Sequence, residues 1–219
     1  MATVLITGAN RGIGLELSRQ LTERGDAVIA LCRKPSPELE ALGVRLFDGV
    51  DVTDRAALEA VSQELGDTKV DVLINNAGIL ENDTFDSLDF DQIRRHFEVN
   101  TLGALLVTSV MQGHLTRGSK IIIMTSRMGS IDDNGSGSYY AYRISKAALN
   151  MAGVNLAHDF RGKGIAVAIL HPGMVATEMT GRHGIPVSES AEGLVARIDQ
   201  LQLGNSGSFW HANGERLPW

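Results

Sequence analysis

The chain has 219 residues, of which 43% are hydrophobic and 21% are charged. This balance is that of an ordinary globular protein and predicts a single domain over residues 1–219. The formal net charge of −6 argues against nucleic acid as the main partner, because phosphate binding favours a basic face. One cysteine and six scattered histidines offer neither an internal disulfide nor a pair at metal-ligand spacing, so we expect no metal.

Short apolar runs alternate with helical patterns along the chain. The predicted strands are Thr3–Thr7, Ala27–Cys32, Val44–Phe47, Val70–Asn75, Lys120–Thr125, Ile165–Leu170 and Gly207–His211. The predicted helices are Gly12–Arg24, Pro37–Ala41, Asp54–Leu65, Asp89–Leu115, Tyr140–Phe160 and Ser188–Leu201. Asp54 and Ser188 are expected as N-caps, and Gly25 and Gly66 as helix stops. This order predicts an α/β fold of the doubly wound Rossmann type, with a parallel sheet covered by helices on both faces.

A glycine-rich turn, Thr7–Gly14, joins the first predicted strand to the first helix. Gly8 permits a tight turn, Gly12 lets a phosphate approach the backbone, and Gly14 allows the helix to pack closely on the strand. Unpaired N–H groups at the start of the helix suit a pyrophosphate. The turn therefore predicts dinucleotide binding, although its G-x-x-x-G-x-G spacing is not the commoner one and a plain tight turn is the alternative.

The second predicted strand ends in Arg33 and Lys34, where folds that bind NAD usually place an acid. A guanidinium suits a 2′-phosphate, and Arg11 in the glycine turn adds a second positive charge. These residues predict NADP(H) rather than NAD(H), the alternative being solvated loop charges. Asp51 and Val52, after the third strand, are placed beside the adenine ring.

The fourth predicted strand closes in Asn75–Gly78. Small Ala77 and Gly78 would let the backbone lie against the cofactor ribose, and the Asn76 amide would brace the turn. Taken alone, the segment is also compatible with an ordinary turn.

Tyr142 and Lys146 are four residues apart in a predicted helix, which places them on one face. A phenol with an ordinary pKa of about 10 is a poor acid–base group at neutral pH. An ammonium ~4 Å away, at an effective dielectric of about 20, would favour the phenolate by ~4 kcal/mol, or about three pKa units. Burial acts in the opposite direction. The pair predicts a tyrosine whose pKa lies near neutrality, a surface pair being the alternative.

These motifs, in this order, resemble those of the short-chain dehydrogenases/reductases over essentially the whole chain. The segments that carry the resemblance are Thr7–Gly14, Asn75–Gly78, Asn100, Ser126, Tyr142 with Lys146, and Pro172-Gly173. Met124–Ile131 and Tyr139–Arg143 are similar to the subgroup of C-factor and sniffer-type carbonyl reductases. The resemblance implies a seven-stranded sheet, bound NADP(H), and hydride transfer between the nicotinamide and a carbonyl or alcohol.

The resemblance also implies roles for individual residues. Tyr142 would protonate the carbonyl oxygen and Ser126 would hold it, while Lys146 would lower the Tyr142 pKa and hold the nicotinamide ribose. Asn100 would support a water relay to Lys146. The implied cofactor-binding set is Gly8, Asn10, Arg11, Gly12, Ile13, Gly14, Arg33, Asp51, Val52, Asn76, Ala77, Gly78, Tyr142, Lys146, Pro172, Gly173, Val175 and Thr177.

The spacing between Ser126 and Tyr142 departs from the family pattern, being about three residues wider than usual. Tyr139 has the commoner spacing, but the residue four positions later is Arg143, a planar cation that replaces a compact ammonium poorly. We therefore prefer Tyr142. Ser130 is a minor rival to Ser126.

The sequence thus predicts an NADP(H)-dependent oxidoreductase of the carbonyl reductase type, acting on a small-molecule carbonyl or alcohol. The alternative is an NADP(H)-binding signalling or regulatory protein of the C-factor type with little turnover. The intact set of Ser126, Tyr142 and Lys146 favours chemistry, because a pure binder needs only the glycine turn and Arg33. Sugar-nucleotide epimerases and dehydratases are less similar, since they are longer and add a substrate domain.

Location and assembly follow from the same patterns. No signal-peptide pattern precedes the first strand, so we expect a cytoplasmic protein. Residues 99–116 carry no charge but contain Asn100, Gln112 and His114, which is too polar for a bilayer core. The family often dimerises through helices placed like Asp89–Leu115 and Tyr140–Phe160, so we expect a homodimer or homotetramer.

Overall fold

Seven strands form one parallel sheet. The computed structural model describes all 219 residues. The strands are β1 (Thr3–Thr7), β2 (Ala27–Leu31), β3 (Arg45–Phe47), β4 (Val70–Asn75), β5 (Leu115–Met124), β6 (Ala166–His171) and β7 (Phe209–His211). Their order is β3-β2-β1-β4-β5-β6-β7, with every neighbouring pair parallel. The order reverses between β1 and β4, and sheets of this kind bind their ligands at such a switch point.

Helices cover both faces of the sheet, as predicted. They are α1 (Gly12–Glu23), α2 (Pro37–Ala41), α3 (Arg55–Leu65), α4 (Phe90–Phe97), α5 (Gly103–Met111), α6 (Tyr140–Arg161) and α7 (Val187–Gln200). One apolar core joins the sheet to α3, α5 and α6, and a second core joins the opposite face to α1, α2 and α7. Consecutive strand residues are therefore buried on alternate sides, which explains the continuous apolar runs in the sequence.

The long helix predicted over Asp89–Leu115 is wrong. The structure divides it into α4, a π-helical turn at Glu98–Leu102, α5 and a 3₁₀ turn at Gln112–His114, and Leu115 already belongs to β5. The wide π turn brings Asn100 and Thr101 to the same side, where both side chains bond to Ser145 of α6. Such turns insert a residue into a helix and are frequent at functional sites.

Most other elements end close to the predicted positions, but β5 begins at Leu115, five residues before the predicted Lys120. Asp54 caps α3 by accepting a hydrogen bond from the backbone N–H of Ala57 at 3.1 Å, and Gly25 and Gly66 end helices with positive φ. The prediction that Ser188 caps α7 is wrong, because the helix begins at Val187 with Pro186 at the N-cap. No helix combines the length and hydropathy that are needed to cross a bilayer.

Candidate active site

The glycine turn lies against the end of β4 at the carboxyl edge of the sheet. Gly8 has a φ of 66°, and a Cβ atom there would lie 2.9 Å from the Cα of Ala77. A Cβ on Gly14 would lie only 2.2 Å from the Gly8 carbonyl oxygen. Neither position accepts a larger residue without displacing backbone, so the turn forms a tight cradle beside the start of α1.

Hydrogen bonds join this turn to the Asn76–Gly78 segment. The Thr7 hydroxyl accepts bonds from the backbone N–H groups of Asn76 and Ala77, at 3.0 and 3.1 Å. The Asn76 amide donates to the carbonyls of Thr7 and Gly8, at 3.0 and 3.2 Å. The Asn76 side chain therefore braces the glycine turn, and not the Asn75–Gly78 turn to which the sequence analysis assigned it.

The start of α1 is open to an anion. Its N-cap residue, Arg11, makes no side-chain cap, so the first N–H groups of the helix are available to a ligand. Thr177 lies against the same turn, its Cγ2 atom 3.3 Å from where a Cβ of Gly12 would be. The Asn10 amide donates to the Lys34 carbonyl at 2.8 Å, which ties the turn to the segment after β2. These residues could hold a pyrophosphate.

Two exposed guanidinium groups stand at the outer end of this cradle. Arg33 lies 3.9 Å from a carboxylate oxygen of Asp51, and Arg11 lies 2.8 Å from a carboxylate oxygen of Glu178. Exposed ion pairs contribute only about 0–1 kcal/mol. Both guanidinium groups can therefore exchange a carboxylate for the phosphate of a ligand.

Tyr142 and Lys146 are buried side by side in α6. The Lys146 ammonium lies 5.7 Å from the centre of the Tyr142 ring and donates a hydrogen bond to the Met124 carbonyl at 2.9 Å. A Cβ on Gly78 would lie 3.6 Å from this ammonium and 3.1 Å from Oδ1 of Asn100. The ends of β4 and β5, the π turn and α6 therefore meet at one place.

Burial dominates the ionisation of Tyr142 and Lys146. It raises the pKa of Tyr142 to about 12, with the Ser126 hydroxyl acting in the opposite direction. It lowers the pKa of Lys146 to about 8. The expectation that Lys146 brings the Tyr142 pKa near neutrality is not borne out, because burial disfavours the charged phenolate and outweighs the effect of the Ser126 hydroxyl.

Asn100 holds neighbouring backbone with its side chain. Its Oδ1 atom accepts a bond from the N–H of Ile79 at 2.8 Å, and its amide donates to the Ile79 carbonyl and the Ser145 hydroxyl, each at 3.0 Å. The side chain thus fixes the loop after Gly78 against α6.

Neither rival of the predicted site residues occupies the site. Tyr139 lies before α6 in a left-handed conformation, with a φ of 53°, and no hydrogen bond joins it to Ser126. The Ser130 hydroxyl donates to the carbonyl of Trp219 and accepts from the N–H of Asp133, both at 3.0 Å. Ser126 remains the hydroxyl beside Tyr142.

Further along, β6 ends in His171, and Pro172 and Gly173 follow. His171 packs edge-on against His211 of β7, with ring centres 4.9 Å apart, and its burial lowers its pKa to about 3. A Cβ on Gly173 would lie 3.4 Å from the His211 ring. Val175 is buried two positions later, so the segment leading to Thr177 is fixed on the sheet.

Two features of this region were not predicted from the sequence. The neutral pair of His171 and His211 supports the turn after β6, and no spacing signal joins the two residues. Asp83, in the loop after β4, is buried against the start of α6 and accepts a hydrogen bond from the N–H of Ala141 at 3.0 Å. A carboxylate in a polar loop gives no sequence signal of such burial.

Comparisons with known proteins agree with this geometry. A family profile described as short chain dehydrogenase matches residues 2–185. The chain is 45% identical to 1-hydroxy-2-glutathionyl-2-methyl-3-butene dehydrogenase of a Rhodococcus species, over 100% of both chains. It is 42% identical to the C-signal of Myxococcus xanthus, over 68% of this chain and 93% of that protein. A solved structure of NADPH-bound carbonyl reductase from chicken fatty liver matches with a TM-score of 0.91 and 31% identity, over 100% of this chain and 99% of that one.

Proposed function

This chain belongs to the short-chain dehydrogenase family, and we propose that it transfers hydride between NADP(H) and the carbonyl or alcohol carbon of a small substrate, with Tyr142 as the acid–base residue. One observation carries the proposal. Ser126, Tyr142 and Lys146 are buried together at the carboxyl edge of the sheet, beside a cradle that only glycine can form. A protein that merely binds a dinucleotide needs the cradle and has no need of the buried set.

The cradle suits NADP(H). The start of α1 would receive the pyrophosphate, and Arg33 with Arg11 would receive the 2′-phosphate in place of Asp51 and Glu178. The NADPH that is bound to the carbonyl reductase from chicken fatty liver supports this choice of cofactor. When bound, the cofactor supplies or accepts the hydride.

The side chains of the protein would donate the proton and stabilise the charge that develops during its transfer. With a pKa of about 12, Tyr142 keeps its proton at neutral pH and is poised to give it to a carbonyl oxygen. Ser126 would donate a hydrogen bond to the same oxygen. Lys146, whose pKa is about 8, carries its charge at neutral pH and would stabilise negative charge that develops on the phenol. The protonated phenol is the form that carbonyl reduction requires.

A more specific substrate class is an alcohol carried by a glutathione conjugate. The relative from Rhodococcus is named for such a substrate and is 45% identical over its whole length. Incubating the enzyme with NADP⁺ and glutathione adducts that bear a hydroxyl group on the carbon next to the thioether carbon tests this assignment. NADPH formation with the adducts, and none with the same alcohols lacking glutathione, is the expected result.

The C-signal relative supports the rival role of a regulatory protein that binds NADP(H) with little turnover. Measuring NADPH oxidation with a panel of aldehydes and ketones distinguishes an enzyme from such a regulatory protein. We expect turnover, and a loss of about 10²- to 10⁴-fold in Tyr142→Phe, with NADPH binding retained. Tyr139→Phe is the matched control and should stay active. Undiminished turnover in Tyr142→Phe would refute the assignment of Tyr142.

We also propose that two copies of the chain associate. A groove of about 300 Å³ runs between the π turn, α5 and α6 on the outer surface. Its lining includes the apolar side chains Phe97, Leu102, Leu105, Met151 and Leu156. Met151 is 62% exposed, and contact with a second copy would remove this apolar surface from water.

A further inference from the structure

The helix that carries Tyr142 begins without a cap of its own. Its N-cap residue, Tyr139, makes no side-chain hydrogen bond to the first turn. The three residues before the helix, Gly137, Ser138 and Tyr139, all have positive φ, at 64°, 55° and 53°. Left-handed backbone is unfavourable for residues other than glycine, so this turn needs support from elsewhere in the chain.

Asp83 supplies that support from the loop after β4. Its carbonyl accepts a hydrogen bond from the N–H of Tyr139 at 2.8 Å, and its carboxylate accepts one from the N–H of Ala141 at 3.0 Å. The side chain is only 2% exposed. A carboxylate at this place satisfies a free N–H group and complements the positive end of the helix dipole.

Arg143 holds the same turn from the other side. Its Nε atom donates to the carbonyls of Gly137 and Ser138, each at 3.1 Å, and its terminal nitrogens donate to the Ser136 hydroxyl and the Met128 carbonyl. The left-handed turn therefore lies between Arg143 and Asp83.

We propose that Asp83 is a positioning residue that fixes the phenol of Tyr142 for proton transfer by capping α6 across 58 residues of sequence. The inference rests on the proposed function. Ala141 directly precedes Tyr142, so loss of the Asp83 bond would let the first turn fray and move the phenol away from Ser126. Misplacement of a catalytic group by about 1 Å can lower the rate about 100-fold.

Three variants test the proposal. Asp83→Ala removes the cap. Asp83→Asn keeps an acceptor oxygen, and it loses no further bond, because Oδ1 of Asp83 has no hydrogen-bond partner. Asp54→Ala is the matched control, since Asp54 caps α3 through the N–H of Ala57, away from the site.

The measurements are kcat and KM with a carbonyl substrate, NADPH affinity by fluorescence titration, melting temperature, and hydrogen exchange of a peptide that covers residues 140–146. In Asp83→Ala we expect kcat to fall about 10- to 100-fold, NADPH affinity to stay unchanged, and exchange of this peptide to accelerate. Asp83→Asn should recover most of the kcat. Asp54→Ala should lower the melting temperature and leave kcat and this peptide unchanged.

A kcat in Asp83→Ala that is no lower than in Asp54→Ala would overturn the proposal. Hydrogen exchange of residues 140–146 that is no faster in Asp83→Ala than in the wild type would also overturn it. A kcat in Asp83→Asn that is no higher than in Asp83→Ala would overturn it too. Tyr142→Phe, assayed alongside, keeps this result separate from the proposed function. If Tyr142→Phe is inactive while Asp83→Ala is normal, only the role of Asp83 fails. If Tyr142→Phe remains active, the proposed function fails, and the exchange data still report whether Asp83 caps α6.

Discussion

The ammonium of Lys146 lies 5.7 Å from the centre of the Tyr142 ring. It is held there by its bond to the Met124 carbonyl at the end of β5. Both groups are buried, so each has a pKa shifted toward its neutral form, to about 12 for Tyr142 and about 8 for Lys146. A protonated phenol beside a charged amine is therefore the dominant state of the site at pH 7.

The pH dependence of the two reaction directions should differ. Carbonyl reduction uses the protonated phenol and the charged amine, so its rate should be constant up to about pH 8 and fall as Lys146 loses its proton. Alcohol oxidation needs the phenolate, so its rate should rise with pH from 7 toward the Tyr142 pKa of about 12. Initial rates in both directions from pH 6 to about 10 check this.

Lys146→Arg provides the control for the pH profile. A guanidinium keeps its charge throughout this range, so whatever reduction activity the variant retains should not fall above pH 8. A wild-type reduction rate that stays constant up to about pH 10 would contradict the assignment of the fall to Lys146.

Arg33 should determine the preference for NADPH. Its guanidinium is 71% exposed and lies 3.9 Å from the Asp51 carboxylate, and a charge-assisted bond to the 2′-phosphate contributes about 1.5–3 kcal/mol. Arg33→Ala should weaken NADPH binding by about one to two powers of ten and leave NADH binding unchanged. Fluorescence titration of both cofactors measures this, with Arg55→Ala as a control for the loss of an exposed guanidinium. Equal losses for NADPH and NADH would contradict a role in 2′-phosphate recognition.

A substitution in the glycine cradle should affect both the stability of the protein and its binding of NADPH. A Cβ on Gly14 would lie 2.2 Å from the Gly8 carbonyl oxygen, so Gly14→Ala must displace the turn at a cost of about 1–3 kcal/mol and should abolish NADPH binding. Gly113→Ala is the control, because nothing lies within 4 Å of its added Cβ. Denaturant unfolding and cofactor titration provide the readouts. Wild-type NADPH affinity in Gly14→Ala would show that the cofactor binds elsewhere.

Local patterns of the sequence were sufficient for the glycine turn and for the seven strands, apart from the early start of β5. Strands buried on both faces leave continuous apolar runs, as in β1 and β6, and the glycine spacing follows from backbone contacts within a single turn. The π turn was not predictable, because it depends on bonds from Asn100 to Ile79 and Ser145, which are 21 and 45 residues away.

Contacts between residues far apart in the sequence also decide the chemistry of the site. The spacing of Tyr142 and Lys146 placed them on one face of a helix, and the structure confirms that they are neighbours. Their pKa values depend on burial by other elements of the fold and, for Tyr142, on the Ser126 hydroxyl. Asp83 was missed for this reason too, because its partner Ala141 is 58 residues away.

The exposed groove beside α6 predicts the oligomeric state. Met151, which lines the groove, is 62% exposed, and Met174, which lies outside it after β6, is exposed to the same extent. If a second copy covers the groove, Met151→Asp buries a charge at the interface and should dissociate the assembly, whereas Met174→Asp should leave the mass unchanged. Light scattering over a range of protein concentrations measures both variants. A wild-type mass equal to one chain at every concentration would refute this use of the groove, and an unchanged oligomer in Met151→Asp would place the contact on another face.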